Sequence, residues 1–221
     1  MPTSYRLYHY WRSSSSWRVR FALDLKGISY EPVAVSLLNG ESESSEHLSR
    51  NPAGSVPVLE IQAQSPSTTP LLLTESLAIL LYLEESHPDR PSLLRGDTIT
   101  RAQTLALSEV INSGIQPFHN PPVLARHSSE PEEQKAWARD FIERGLGIYE
   151  ALCQKTRGRF SVGDHPSIAD ACLIPQIYSA ERFGVKLQAF PSIQAIHENL
   201  KVLPAFASSH ADAFKPLDFK G

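Results

Sequence analysis

Four consecutive serines, Ser13 to Ser16, run directly into W-R-V-R-F-A-L. Hydroxyls at the start of a helix have two uses. One serine at the cap accepts a hydrogen bond from the first-turn amides, and one suffices. The others can then point at a ligand at the positive end of the helix dipole, which suits an anion such as a thiolate or carboxylate. Both uses are open from this run alone. A second group is S-V-P-V-L at 55–59. Proline cannot donate to a sheet ladder and belongs at strand starts or edges. Pro57 therefore marks either a simple strand entry or a cis-proline turn that lets the Val56 backbone pair with an extended ligand. The third group is L-L-L-T-E-S-L-A-I at 71–79. Here Glu75 and Ser76 either cap a helix or grip a zwitterion, the carboxylate taking an ammonium and the hydroxyl a carboxylate.

The elements that must position these groups follow from hydrophobic periodicity. Tyr5 to Tyr10 is short and aromatic and reads as a strand. Ser16 to Lys26 reads as a helix stopped by Gly27. Tyr30 to Val35 is a second strand, and the polar stretch Asn39 to Ser49 holds a loop and a short helix. Val58 to Ile61 and Leu71 to Thr74 read as short strands joined by the polar, proline-bearing Q-A-Q-S-P-S-T-T-P. Glu75 to His87 is an apolar helix. The order is β-α-β-α-β-β-α, a parallel βαβ unit joined to an antiparallel hairpin. Residues 88–97, with proline and glycine, read as a linker. Beyond it, 99–115, 131–156, 167–183 and 192–200 read as helices with no strand pair. The expected class is α+β, with a sheet-bearing domain at 3–87 and an all-α domain at 98–221.

Composition narrows the partners. With 21 basic and 24 acidic residues the net charge is -3, which argues against a general nucleic-acid binder. The longest apolar run, Leu77 to Leu83, is far short of the ~20 residues that span a bilayer. Two cysteines cannot build a disulfide framework. With no apolar segment at the start, they fit a reducing, cytoplasmic setting. The eight histidines show no metal-ligand spacing, and no glycine-rich phosphate loop is present, so neither metal nor nucleotide is expected.

Together these groups resemble the thioredoxin-like glutathione-binding domain of the soluble glutathione transferases. R-S-S-S-S-W-R-V-R-F-A-L, with G-I-Q-P at 114–117 and A-E-R-F at 180–183, is similar to the zeta class, which includes maleylacetoacetate isomerases. The resemblance covers Leu7 to about His210. It implies a homodimer with glutathione as cofactor and a maleyl-type dicarboxylate as substrate. The implied reaction is cis-trans isomerisation of maleylacetoacetate to fumarylacetoacetate. Alternatives are another acceptor (a maleylpyruvate, an α-haloacid or a peroxide) or a non-catalytic binding protein on the same fold. By the resemblance, Ser13 donates to the glutathione sulfur and Ser14 and Ser15 complete the loop over it. Val56, beside a cis Pro57, pairs with the cysteinyl backbone, and Glu75 and Ser76 hold the γ-glutamyl end. Gln116 and Asn120 reach in from the first helix of the second domain, and Arg182 takes a substrate carboxylate. Two departures stand out. Ser15 occupies a place usually held by cysteine, and a glutathione-contacting glutamine falls near Ser42 in a shortened loop.

Other features read as structural. In sister classes a tyrosine activates the thiol, but the serines hold the motif position here, and Tyr5, Tyr8 and Tyr10 alternate as on any half-buried strand. Cys153 and Cys172 read as small buried residues, which leaves no cysteine for redox catalysis at the first helix. S-I-A-D at 167–170 reads as a capping box. On the first helix, Val19, Phe21, Ala22, Leu23 and Leu25 form one arc that includes Arg18, with Arg20 and Asp24 opposite. Arg18 is therefore expected to be buried and paired, to a carboxylate of the second domain.

Overall fold

A computed structural model describes residues 4–62, 69–217 and 219. Its contacts divide the chain into two compact units, Met1–Pro91 with Pro204–Gly221, and Ser92–Leu203. The expected division at 3–87 and 98–221 assigns the last segment differently. That segment folds onto the first unit because α9 (Pro204–Ser209) packs along α1 (Ser14–Lys26).

The first unit is a four-stranded sheet in the order β2-β1-β3-β4. β1 (Tyr5–His9) pairs parallel with β2 (Tyr30–Ala34) and antiparallel with β3 (Val58–Ile61), which pairs antiparallel with β4 (Leu71–Leu73). Pro32 sits in β2, an edge strand, where its missing N–H breaks no central ladder. The short helix expected within 39–49 is α2 (Ser45–Arg50), which runs one residue beyond that stretch. The central strands and the helices α1 and α3 (Ser76–Ser86) bury Leu7, Phe21, Leu23, Leu59, Leu80 and Leu83 completely. Each such side chain contributes roughly 1.5–3 kcal/mol by leaving water. Most of the expected hairpin connection, 63–68, lies outside the described residues.

Two buried ties join α1 to α3. Lys26 Nζ meets Glu84 at 2.8 Å, and the fully buried Arg18 donates to Ser76 Oγ at 3.2 Å. The burial expected for Arg18 is thus observed, and one of its contacts is a hydroxyl of the same unit. Arg20, opposite the apolar arc, is also fully buried. Its face of the helix is polar by pattern, but α9 and the turn Ala211–Phe214 cover it. A cover about 190 residues away leaves no trace in helical periodicity.

The second unit is helical: α4 (Thr98–Asn112), α5 (Pro121–His127), α6 (Pro131–Cys153), α7 (Ile168–Arg182) and α8 (Pro191–Lys201). The capping box at the start of α7 is formed, with Asp170 accepting from both the backbone and the side chain of Ser167. The two α6 neighbours of this core, Cys153 and Tyr149, are fully buried, as is Cys172 on α7. Among the described residues no helix is long and apolar enough to cross a membrane.

Candidate active site

Strand directions place three of the singled-out groups on one edge of the sheet. β1 runs into Ser13–Ser16 at its C-terminal end. Because Tyr8 pairs with Val58 in an antiparallel register, the residues before β3, Val56 and Pro57, lie beyond that same end. Leu73 pairs with Leu59, so β4 also ends there and passes into Thr74, Glu75 and Ser76. The parallel β2 sends its following loop, with Ser42, to the same edge. The β-α-β-α-β-β-α order therefore gathers groups up to 63 residues apart in sequence at one rim.

At this rim Ser13 is the N-cap of α1. Its Oγ accepts the Ser16 N–H at 3.2 Å and its own N–H donates to Tyr10 O at 3.1 Å. The hydroxyl hydrogen of Ser13 has no acceptor among the described residues. Both readings of the serine run are thus compatible in one residue: the oxygen caps while the hydrogen stays available. Ser13, Ser14 and Ser15 are partly exposed, whereas Ser16 is buried and its Oγ accepts the Tyr10 N–H at 3.4 Å. No acidic residue lies in the first turn, so nothing within α1 opposes an anion at its N-terminus.

The Val56–Pro57 peptide bond is cis. Neither the N–H nor the C=O of Val56 is hydrogen bonded among the described residues. The preceding carbonyl is tightly held: Ser55 O faces His47 Nε2 at 3.0 Å and accepts from Asn51 Nδ2 at 2.8 Å. Asn51 Oδ1 in turn accepts from the Ala53 N–H at 3.1 Å. His47 and Asn51 thus fix the segment that presents Val56, a role the sequence reading missed. The signal was there in N-P-A-G at 51–54, an Asx-type turn dipeptide followed by glycine. Gly54 has φ +60°, and an added Cβ would stand 3.3 Å from the Ser42 carbonyl. The loop carrying Ser42 is therefore packed against the segment leading to Val56, and Ser42 itself is buried.

Glu75 is exposed, with φ 63°, and its carboxylate makes no hydrogen bond or ion pair among the described residues. It does not cap α3 through its side chain. Ser76 is buried with its Oγ receiving Arg18. The two β1 tyrosines have internal partners: Tyr5 OH is 2.8 Å from His87 Nε2, and Tyr8 OH donates to Glu60 at 2.9 Å. Tyr10 OH is buried with no partner among the described residues.

In the second unit, Gln116 and Asn120, expected on the first helix, lie beyond its end. α4 ends at Asn112, and Gln116 begins a short 3-10 turn, Gln116–His119, with Asn120 at the start of α5. Proline at 117 cannot continue a helix that needs its N–H. Gln116 Nε2 donates to Asn120 Oδ1 at 2.8 Å, so the two amides act as one unit. The turn is seated against α6 at Gly145, where an added Cβ would fall 2.2 Å from Ile115 Cγ1. Arg182 is the last residue of α7 and is exposed. A cavity of about 340 Å³ in this unit, lined by Arg95, Thr100, Lys155 and His165 among others, holds none of the expected site residues. Among the described residues no cluster of three or more His, Cys, Asp or Glu could hold a metal ion.

Two family models match the chain: the glutathione S-transferase N-terminal domain over residues 3–85 and the C-terminal domain over 118–208. The chain belongs to the glutathione S-transferase family. It is 44% identical over 207 residues to a probable maleylacetoacetate isomerase of Caenorhabditis elegans, covering 93% of this chain and 92% of that one. Among solved structures it is similar to maleylacetoacetate isomerase from Anaeromyxobacter dehalogenans 2CP-1 with glutathione bound in the active site. That match has 44% identity and a TM-score of 0.87, and covers 97% of this chain and 98% of the other. Another structure of that protein holds dicarboxyethyl glutathione and citrate, again with a TM-score of 0.87. A bacterial zeta-class transferase, a maleyl pyruvate isomerase, matches at 34% identity and a TM-score of 0.86 over 97% of this chain and all of the other. The thioredoxin-like sheet domain followed by helices is thus the glutathione transferase fold, and the zeta-class resemblance read from R-S-S-S-S-W-R-V-R holds.

Proposed function

We propose that this chain is a zeta-class glutathione transferase acting as a maleylacetoacetate isomerase. In this reading it is a cytoplasmic homodimer that converts maleylacetoacetate to fumarylacetoacetate in phenylalanine and tyrosine breakdown, with residues 3–87 holding glutathione and 98–221 shaping the acceptor pocket. The observation that carries the proposal is the Ser13 hydroxyl hydrogen at the N-terminus of α1, which has no acceptor among the described residues. On the same rim stand the Val56 backbone and the Glu75 carboxylate, neither hydrogen bonded among the described residues. That donor set fits a γ-glutamyl tripeptide thiol. The Val56 N–H and C=O suit an extended peptide, Glu75 suits an α-ammonium, and Ser13 suits a sulfur anion.

Bound glutathione supplies a thiolate, whose reversible addition to a cis carbon–carbon double bond permits rotation to the trans form. The chain's part is to hold that sulfur as the anion. A free thiol has a pKa near 8.5 and is mostly protonated at neutral pH. A hydrogen bond from Ser13 and the positive end of the 13-residue α1 both favour the charged form. Ser14 and Ser15 close the loop over the sulfur. The serine at position 15 changes a modulating thiol without removing the reacting one. Ser42 borders the cysteinyl segment, and Ser76 holds the γ-glutamyl carboxylate. The paired Gln116 and Asn120 present an amide to glutathione, and Arg182 receives an acceptor carboxylate. The dicarboxyethyl glutathione and citrate held by the Anaeromyxobacter protein support an acidic acceptor.

The similarity to a maleyl pyruvate isomerase favours one second reading, in which the acceptor is a maleylpyruvate. Glutathione-dependent isomerisation followed with maleylacetone and with maleylpyruvate tests both. Turnover of maleylacetone that is several-fold faster is expected. Faster maleylpyruvate turnover would favour the second reading, and no turnover of either would sink both.

A further inference from the structure

Arg20 is a fully buried cation that no carboxylate among the described residues touches directly. Its Nε donates to Ser209 O at 3.0 Å, and its NH1 faces His9 Nδ1 at 3.1 Å and donates to Tyr10 O at 3.3 Å. Its NH2 donates to Trp11 O at 3.0 Å. The guanidinium lies 4.7 Å over the Phe214 ring. Four of its five N–H groups are therefore committed. Two of them hold consecutive carbonyls of the turn that leads from β1 into the serine run. Tyr10 O is also the acceptor of the Ser13 N–H. One carbonyl thus links the buried guanidinium directly to the residue assigned to the sulfur.

The remaining bonds tie the same cation to the C-terminal segment. Ser209 Oγ also accepts Trp17 Nε1 at 3.2 Å, and Ser208 Oγ donates to Asp24 at 2.5 Å, so α9 is fastened along α1 on both sides of Arg20. His9 stays neutral, its pKa pushed down to about 3 by burial and by Arg20. It therefore offers a lone pair to the guanidinium rather than a second positive charge.

We infer that Arg20 is a positioning residue for the isomerase reaction, holding the serine turn in register, and that residues 204–214 are the brace that keeps Arg20 in place. This rests on the reading of Ser13 as the thiolate donor. A bond from a charged donor to each carbonyl fixes the turn more rigidly than an uncharged one would. Lysine, with a compact ammonium, cannot span both carbonyls and Ser209 O at once.

The test uses the full chain with Arg20→Lys, Phe214→Ala and Ser13→Ala. Bound glutathione thiolate is titrated by its ultraviolet absorbance, and kcat and KM are measured with maleylacetone. Arg20→Lys is expected to raise the apparent thiol pKa by about one unit and to lower kcat about tenfold, with KM for glutathione nearly unchanged. Phe214→Ala, which loosens the cover and leaves every Arg20 donor in place, is expected to shift both in the same direction by about threefold, roughly half of that pKa unit. A folded Arg20→Lys protein with unaltered thiol pKa and kcat overturns the inference. Should Arg20→Lys fail to fold, an unaltered Phe214→Ala overturns it equally. If Ser13→Ala leaves thiol pKa and turnover intact, the thiolate-donor reading itself fails and this inference falls with it. A Ser13→Ala loss beside a silent Arg20→Lys removes only the role of Arg20.

Discussion

The start of α1 and the start of α7 are built from the same residue types, serines ahead of an apolar helix, and they differ in what their hydroxyl hydrogens meet. At α7 the hydroxyls of Ser161 and Ser167 both have an internal acceptor. Asp170, fully buried, takes Ser161 N–H at 3.0 Å, Ser161 Oγ at 2.6 Å, Ser167 N–H at 2.8 Å and Ser167 Oγ at 2.7 Å, and Tyr149 OH closes the network onto Ser161. At α1 the first turn has no acid, and Ser13 gives its oxygen to the helix while its hydrogen stays available at a partly exposed rim. An internal carboxylate turns a serine cap into structure. Its absence leaves a donor for something from outside.

The largest effect that sharpens this contrast is expected at Asp170. Its replacement by alanine strands four donors in a dry site, which costs roughly 3–5 kcal/mol of stability. Chemical denaturation should register that loss, while kcat per folded molecule stays near wild type. A stable Asp170→Ala protein with little activity would invert the comparison. Next comes Ser13→Ala. Loss of a donor to a developing or resident anion lowers kcat about a hundredfold, and loss of the cap costs only about 1 kcal/mol. Steady-state kinetics beside a melting curve separates the two, and a variant that loses stability alone would make α1 resemble α7.

Both helix starts were legible because caps are local. S-S-S-S and S-I-A-D lie within a few residues of what they bond, and strand positions followed from short runs bounded by turn residues. What escaped depended on distant partners. Arg20 lies opposite the apolar arc of its helix, and nothing local says that Ser209 and Phe214 fold over it. The resemblance implies that Gln116 and Asn120 reach in from the first helix of the second domain, whereas Pro117 and the close seat of Ile115 on Gly145 impose a tight turn. The rim itself was visible only through resemblance, since no periodicity says that Val56 and Glu75 end at the same edge.

A smaller contrast lies in acid. Beneath the serine turn the buried group is a base: His9 titrates near 3 when folded and near 6.5 when unfolded. Below pH 6.5 the unfolded chain binds the extra proton, so stability is fully present above that value. It falls as pH drops towards 3, by at most about 1.4 kcal/mol per unit. Denaturation midpoints between pH 4 and 7 should show that slope, and His9→Gln should flatten it; an unchanged slope would assign the acid sensitivity elsewhere. The smallest expected signal concerns the thiols near α7. Burial pushes the Cys153 thiol up to about 12, and Cys172 is fully buried. Neither should react with a disulfide reagent over minutes in the native state, and rapid labelling of either would show that this helix start opens.

The assignment of Pro204–Gly221 to the first unit has a consequence for how the protein is made. A ribosome delivers Met1–Pro91 first and must then synthesise the whole of Ser92–Leu203 before Ser209 and Phe214 emerge. At roughly 5–20 residues per second that interval is on the order of ten seconds. During it the nascent sheet domain carries an uncovered Trp17 and an arginine with no Ser209 carbonyl to meet. The domain that is translated first is therefore the one completed last, and its exposed helix face is a natural place for a holding chaperone to work.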